Sequence, residues 1–195
     1  MLTIYLIRAG DTEYDGQGRI QGTLDIPLSA DGRVQVEAAA IALAEERPPI
    51  TTLYTGPCQS VRQTAEAVGS KLNLKPKKLT SLANLDHGLW QGMLVEEVRS
   101  NQPKVYKKWQ ETPEAVCPPE GETLGSARER LAKAIAKLVK KHKQGVIALV
   151  LPNPLSAVLQ SELSHEKLGD LWHVEGEASQ LWKKIEYAPA IKTAT

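Results

Sequence analysis

The feature that most constrains this fold is Val146–Leu151 (VIALVL), a strand-length run with no polar side chain. A strand that is apolar on both faces has to be covered on both faces, which places it inside a mostly parallel sheet flanked by helices. Leu2–Ile7 (LTIYLI) reads the same way and is cut off by Arg8, and Thr51–Thr55 predicts a further strand. Helical patterns fill the intervals. Ser29 is placed to cap a helix from about Gly32 to Glu46, which Pro48 and Pro49 stop. Gln59–Leu72 carries Val61, Ala65 and Val68 at helical spacing. Leu79–Gly92 is turn-rich, a single helix is expected over Val95–Gln110, and Thr112–Gly121 is a proline-bearing loop. Over Leu124–Lys143 the residues Leu131, Ile135 and Leu138 share one face, and a basic last turn complements the helix dipole. Asn153 followed by Pro154 predicts an N-cap and a first-turn proline for another helix. A last strand is expected at Ser179–Tyr187, with a loose tail after Pro189. Strands alternating with helices predict an α/β, three-layer αβα sandwich with a mostly parallel central sheet, a single domain over residues 1–195.

Charge and composition narrow the function classes. A formal net charge of +1, from 24 basic and 23 acidic side chains, gives no global attraction to nucleic acid or to an anionic membrane. The lysine clusters Lys75–Lys78 and Lys140–Lys143 read as solvated helix ends or loops. The apolar run near the start is too short for a signal-peptide core or a membrane span, and no later run reaches a spanning length. Cys58 and Cys117 are too few and too isolated for a disulfide framework or a zinc site. The expectation is a cytoplasmic protein with no metal and no cofactor.

In open α/β sheets, ligands collect at the carboxyl ends of the strands. That directs attention to the residues after Ile7, Thr55 and Leu151. There the strings Arg8-Ala9-Gly10-Asp11-Thr12, Gly18-Arg19-Ile20-Gln21-Gly22, Asp25-Ile26-Pro27-Leu28 and Leu53-Tyr54-Thr55-Gly56-Pro57 with Arg62-Gln63-Thr64-Ala65 follow one another. Gly88-Leu89-Trp90-Gln91-Gly92, Pro119-Glu120-Gly121-Glu122-Thr123 and the block Val150 to Leu159 continue the series. In this order they resemble the landmarks of the histidine phosphatase (phosphoglycerate mutase-like) superfamily, over nearly the whole chain.

That resemblance implies a particular chemistry. One histidine attacks phosphorus, a carboxylate protonates the leaving oxygen, and two arginines with a second histidine hold the phosphoryl oxygens. Because phosphoryl transfer is mainly positioning and electrostatics, each part has to be present. In this chain the nucleophile's place is taken by Ala9, the general acid's by Asn84 and the second histidine's by Pro152. A serine of the second phosphate-contacting segment is Gly56, and an asparagine seven residues after the first arginine is Asp15. Arg8 and Arg62 remain. Losing a nucleophile costs about 10⁶ in turnover in well-studied hydrolases, and losing a general acid roughly 10²–10⁴. The fold without the phosphatase chemistry is therefore the expectation.

Several residues admit two readings. Arg8 and Arg62 form either a surviving anion clamp, with Asp15 and Gly56 beside it, or inherited residues paired with Asp15 and other carboxylates. His87 is either a replacement nucleophile or a ring packed against Trp90. Cys58 opens a helix, where the dipole would lower its pKa, yet the Cys-x₅-Arg spacing of cysteine phosphatases is absent and a structural thiol is the better reading. His165 and His173 read as surface residues, His142 closes a basic helix end, and Trp90, Trp109, Trp172 and Trp182 read as packing residues. Three functions follow. The first is a non-catalytic binding or regulatory module that takes phosphate, a phosphorylated small molecule or a protein partner. The second is a weak phosphomonoesterase working through a rearranged pocket. The third is a structural or partner-binding protein, conceivably a homodimer, with a vestigial pocket.

Overall fold

A computed structural model describes residues 1–166, 168, 171 and 181–187. The central sheet has five strands: β1 (Leu2–Arg8), β2 (Thr52–Thr55), β3 (Lys77–Lys78), β4 (Gly145–Leu151) and β5 (Trp182–Tyr187). Their spatial order is β3-β2-β4-β1-β5. β1, β2, β3 and β4 are parallel, and β5 closes the edge antiparallel to β1. The two apolar runs of the sequence are thus the central strands, as their continuous hydrophobicity demands. β3 was not legible in the sequence. It is two exposed lysines pairing with Tyr54 and Thr55, too short to carry a period-2 signal and set by its neighbour instead.

Alternation along β1 divides the core. Leu2, Ile4 and Leu6 face a cluster with Leu131, Ile135 and Leu138 of α6 (Leu124–Lys141) and Leu155 and Val158 of α7 (Leu155–Ser164). Tyr5 and Ile7 face Ala40 and Leu43 of α2 (Ala30–Glu45), and Val61, Ala65 and Val68 of α3 (Gln59–Leu72). Helices therefore cover both faces, giving the α/β three-layer arrangement. Among the described residues, no helix is long and apolar enough to cross a membrane.

Helix ends follow local chemistry, with two corrections. Ser29 caps α2 by accepting from Gly32 N, and Thr123 caps α6 by accepting from Ser126 N. The expected single helix over Val95–Gln110 is two, α4 (Val95–Asn101) and α5 (Pro103–Glu111). Gln102 leaves the helical conformation (φ −134°, ψ 56°) because the residue before a proline is pushed out of the helical region. Asn153 is not the cap of α7. Pro154 occupies the cap position, and the carbonyl of Asn153 accepts from Asn84. The last strand begins at Trp182; residues 179 and 180, with His173, Trp172 and the tail after Pro189, lie outside the described residues.

Candidate functional site

Parallel pairing fixes which loops meet. Arg8 pairs with Leu151 and Thr55 with Val150, so Arg8, Gly56 and Pro152 emerge at the same end of adjacent strands. Ala9 N donates to Leu151 O (2.9 Å) and Gly56 N to Val150 O (3.3 Å), carrying the ladder to the positions where the chemistry is expected. The loop after β1 is then pressed against α2. A Cβ on Gly10 would lie 2.5 Å from Gly32 O, and one on Gly32 would lie 2.0 Å from Asp11 O, so only glycine allows this approach. Ser29 N seals the junction by donating to Asp11 O (2.9 Å).

A cleft of about 760 Å³ opens beside this junction. Arg8, Asp15 and His87 line it, with Arg19, Gln21, Asn153 and Ser156. Arg62 is not part of its lining. The Arg62 guanidinium is bonded to Pro57 O and lies 3.6 Å from an Asp25 carboxylate oxygen. Arg8 donates to Asp11 at 2.7 Å. Burial pushes the Asp11 carboxyl up, but hydrogen bonds from Gln35 (2.7 Å) and Arg8 outweigh it, leaving its pKa below the ordinary value. Asp15 pairs with neither arginine. Its Oδ2 accepts from Thr12 N (2.6 Å) and Thr12 Oγ1 (2.7 Å), closing a capping box on the short helix α1 (Glu13–Gly16), which the sequence reading did not anticipate.

The positions at which the resemblance leaves no catalytic group are filled. Ala9 is buried in the apolar cluster with Cys58, Val61 and Ala65. Asn84 is buried, and its Nδ2 donates to Gly22 O (2.8 Å) and Asn153 O (3.1 Å) while its Oδ1 accepts from Leu85 N (2.9 Å). One amide thus ties the loops after β1 and β4 to the segment around residue 84. Pro152 accepts from Ser156 N through its carbonyl (2.9 Å), starting the turn into α7. At Gly56, a Cβ would meet Leu82 O at 2.5 Å, so no side chain fits where the family carries a hydroxyl.

His87 is 1% exposed and packs against Trp109, ring centroids 5.5 Å apart, and Trp109 in turn meets Trp90 edge-on at 6.1 Å. Burial pushes its imidazole down to about 4, outweighing the upward pull of the Leu85 backbone and Asp86, so it is neutral at physiological pH. Cys58 is buried, and burial pushes its thiol up against the smaller downward pulls of backbone hydrogen bonds and Arg62, the reverse of the dipole effect expected at a helix start. His142 ends α6 and bonds Tyr54 Oη (2.8 Å), and His165, exposed, ends α7 in the left-handed region.

One group missed in the sequence organises the segment below the cleft. Arg130 donates to Ser81 O (2.9 Å), Ala83 O (2.8 Å) and Glu122 (2.6 Å), and Glu122 accepts from Asp86 N (3.1 Å). Its partners are backbone carbonyls, for which a sequence offers no marker.

With this geometry in place, the comparisons decide the family. The family model described as histidine phosphatase superfamily (branch 1) matches residues 4–190. The chain belongs to the histidine phosphatase superfamily. Phosphoserine phosphatase 1 of Hydrogenobacter thermophilus is 32% identical over 150 residues, which is 77% of this chain and 70% of that protein. Phosphoglycerate mutase-like protein 4 of Arabidopsis thaliana is 29% identical over 75% of this chain, which spans 64% of that relative's length. Among solved structures, a mycobacterial glucosyl-3-phosphoglycerate phosphatase superposes with a TM-score of 0.78 at 25% identity, covering 93% of this chain and 88% of its own.

Proposed function

We propose that this chain is a non-catalytic histidine phosphatase relative, a binding or regulatory module in which the strand-end cleft persists and the phosphoryl-transfer machinery does not. The observation that carries this reading is the state of the reacting positions. Ala9 offers no lone pair, Pro152 no side-chain donor, and the Asn84 amide is engaged by three backbone groups. Even the space for a hydroxyl at residue 56 is occupied by Leu82 O. With no nucleophile and no proton donor, the loss is at least about 10⁶-fold in turnover. A relative named as a phosphoserine phosphatase supports a phosphorylated ligand as one class to test, here without turnover.

The test is direct. Purified protein should release para-nitrophenol from para-nitrophenyl phosphate no faster than a buffer blank and should take up no label as phosphohistidine. A second reading, a weak phosphomonoesterase, draws on His87, a neutral imidazole in the cleft wall. Turnover that survives repurification and disappears in His87→Ala would establish that reading instead. The proposal extends to a single domain over residues 1–195 working in the cytoplasm.

A further inference from the structure

Resting on the reading above, we infer that the cleft binds an uncharged, hydroxyl-bearing small molecule with one apolar face, a sugar or a nucleoside, in preference to its phosphorylated counterpart. The charges of the lining are satisfied within the protein. Arg8 holds Asp11, Asp15 holds Thr12, Arg19 donates to Gly92 O (2.6 Å), and Lys183 holds Glu166 (3.0 Å). Among the described residues, three cations and two carboxylates line the cleft, and Glu166 behind Lys183 brings their sum to zero. A phosphate dianion entering beside Arg8 would face the Asp11 carboxylate already bonded there.

The other groups suit a neutral guest. Gln21, Asn153, Ser156 and Gln160 bring amides and a hydroxyl to the lining, while Leu6, Ile20 and Val95 bring apolar surface. Neutral donors and acceptors match hydroxyl groups without a desolvated charge, and the apolar wall matches the C–H face of a sugar or the face of a base. Ser156 and Gln160 lie four residues apart on α7, hence on one face of that helix. The volume falls in the ordinary range for small-molecule clefts.

Matched pairs test this. Adenosine against adenosine 5′-monophosphate, and glucose against glucose 6-phosphate, are titrated into the intact protein by calorimetry and ligand-observed saturation-transfer NMR. In at least one pair the neutral member should bind with a Kd of about 1 mM or tighter, and at least as tightly as its phosphate. Which pair responds distinguishes nucleoside from sugar. Ser156→Val with Gln160→Leu should weaken that neutral ligand at least threefold, with unchanged melting as the check on folding. Ser156→Ala alone should give a smaller loss in the same direction. Tenfold tighter binding of the phosphorylated member, no binding by any probe up to about 10 mM, or no response to either variant would each overturn the inference. Phosphate release in the same samples would overturn the non-catalytic reading instead, so the two failures are distinguishable.

Discussion

The strand-end floor beside the cleft and the frame that holds it differ in kind. On that floor, Ala9, Gly56, Asn84 and Pro152 only pack or bond backbone, and the proposed loss of phosphoryl chemistry rests on them. The frame is built from contacts that leave no alternative. Gly10 against Gly32 and Gly88 against Gly121 bring backbones closer than any Cβ allows, and Arg130 gathers the carbonyls of Ser81 and Ala83 with the Glu122 carboxylate. The difference teaches that the shape of the cleft and its chemistry rest on different residues. A family fold can keep the first after losing the second, because packing and backbone hydrogen bonds carry stability whether or not the site turns over.

If that division is right, damage to the frame should exceed any change on the floor. Arg130→Ala leaves Glu122 and two carbonyls without their partner in a partly buried setting, and should cost about 3–4 kcal/mol in denaturant unfolding. Arg130→Lys should recover only part of this, since one ammonium cannot reach three acceptors in a fork. A loss under about 1 kcal/mol for Arg130→Ala would remove the frame from the comparison.

His87 gives the comparison a pH axis. Its folded pKa of about 4 lies below the ordinary 6.5, so the unfolded chain binds the extra proton between those values. Stability is therefore full above about pH 6.5, falls as pH drops through the window, and levels near pH 4, a loss of about 3 kcal/mol. Asp11 acts in a lower window. Its depressed pKa stabilises the fold above its ordinary 3.8 and is lost only as pH falls through the folded value. Urea unfolding of wild type and His87→Leu between pH 4 and 7 separates the two. A slope above pH 4.5 that persists in the variant would assign it to other groups.

Restoring the floor should be unfavourable as well as ineffective. Asn84→Glu replaces a donor to Gly22 O and Asn153 O by a carboxylate facing them, and should cost about 2 kcal/mol. Gly56→Ser must push Leu82 O away from a Cβ at 2.5 Å, costing about 1–3 kcal/mol. Ala9→His alone should leave para-nitrophenyl phosphate untouched, since neither acid nor second imidazole is present. Robust turnover from that single change would show that the acid or the second histidine has been misplaced.

Much of this was legible beforehand, for identifiable reasons. The apolar runs Leu2–Ile7 and Val146–Leu151 could only be central strands, and the cap Ser29 marks a helix start by its own chemistry. The convergence of Arg8, Gly56 and Pro152 followed from parallel strands ending together. What stayed hidden depends on three-dimensional partners. The choice of Asp11 over Asp15 for Arg8, the ring of Trp109 against His87 and the carbonyls around Arg130 are set by packing, and no spacing rule encodes them. β3 follows from β2, and the break at Gln102 was signalled by Pro103 but outweighed by the helical pattern around it.

The smallest expected effect concerns inorganic phosphate. Arg62 bonds Pro57 O and faces Asp25, with more than a third of its side chain exposed, and it stands outside the cleft lining. To hold an anion beside Arg8 it would have to give up both partners, and the ion pair at 3.6 Å is worth little on its own in water. The backbone contact to Pro57 is the firmer hold, since it anchors the guanidinium to the loop opening its own helix. Arg8 is held by Asp11, whose carboxylate stays ionised well below neutral pH and keeps a negative charge beside any incoming anion. Phosphate should therefore bind with a Kd of about millimolar or weaker, equivalent to about 4 kcal/mol. Arg62→Ala should change it by less than about twofold at physiological salt, where the Debye length is about 8 Å and distant charge is screened. Arg8→Ala should weaken it further than Arg62→Ala does, because Arg8 alone of the two lines the cleft. Calorimetric titration of phosphate into the three proteins at low and physiological salt reads this ordering. A tenfold loss in Arg62→Ala would mean that the two arginines still close on an anion, and that the floor has kept part of the family's chemistry after all.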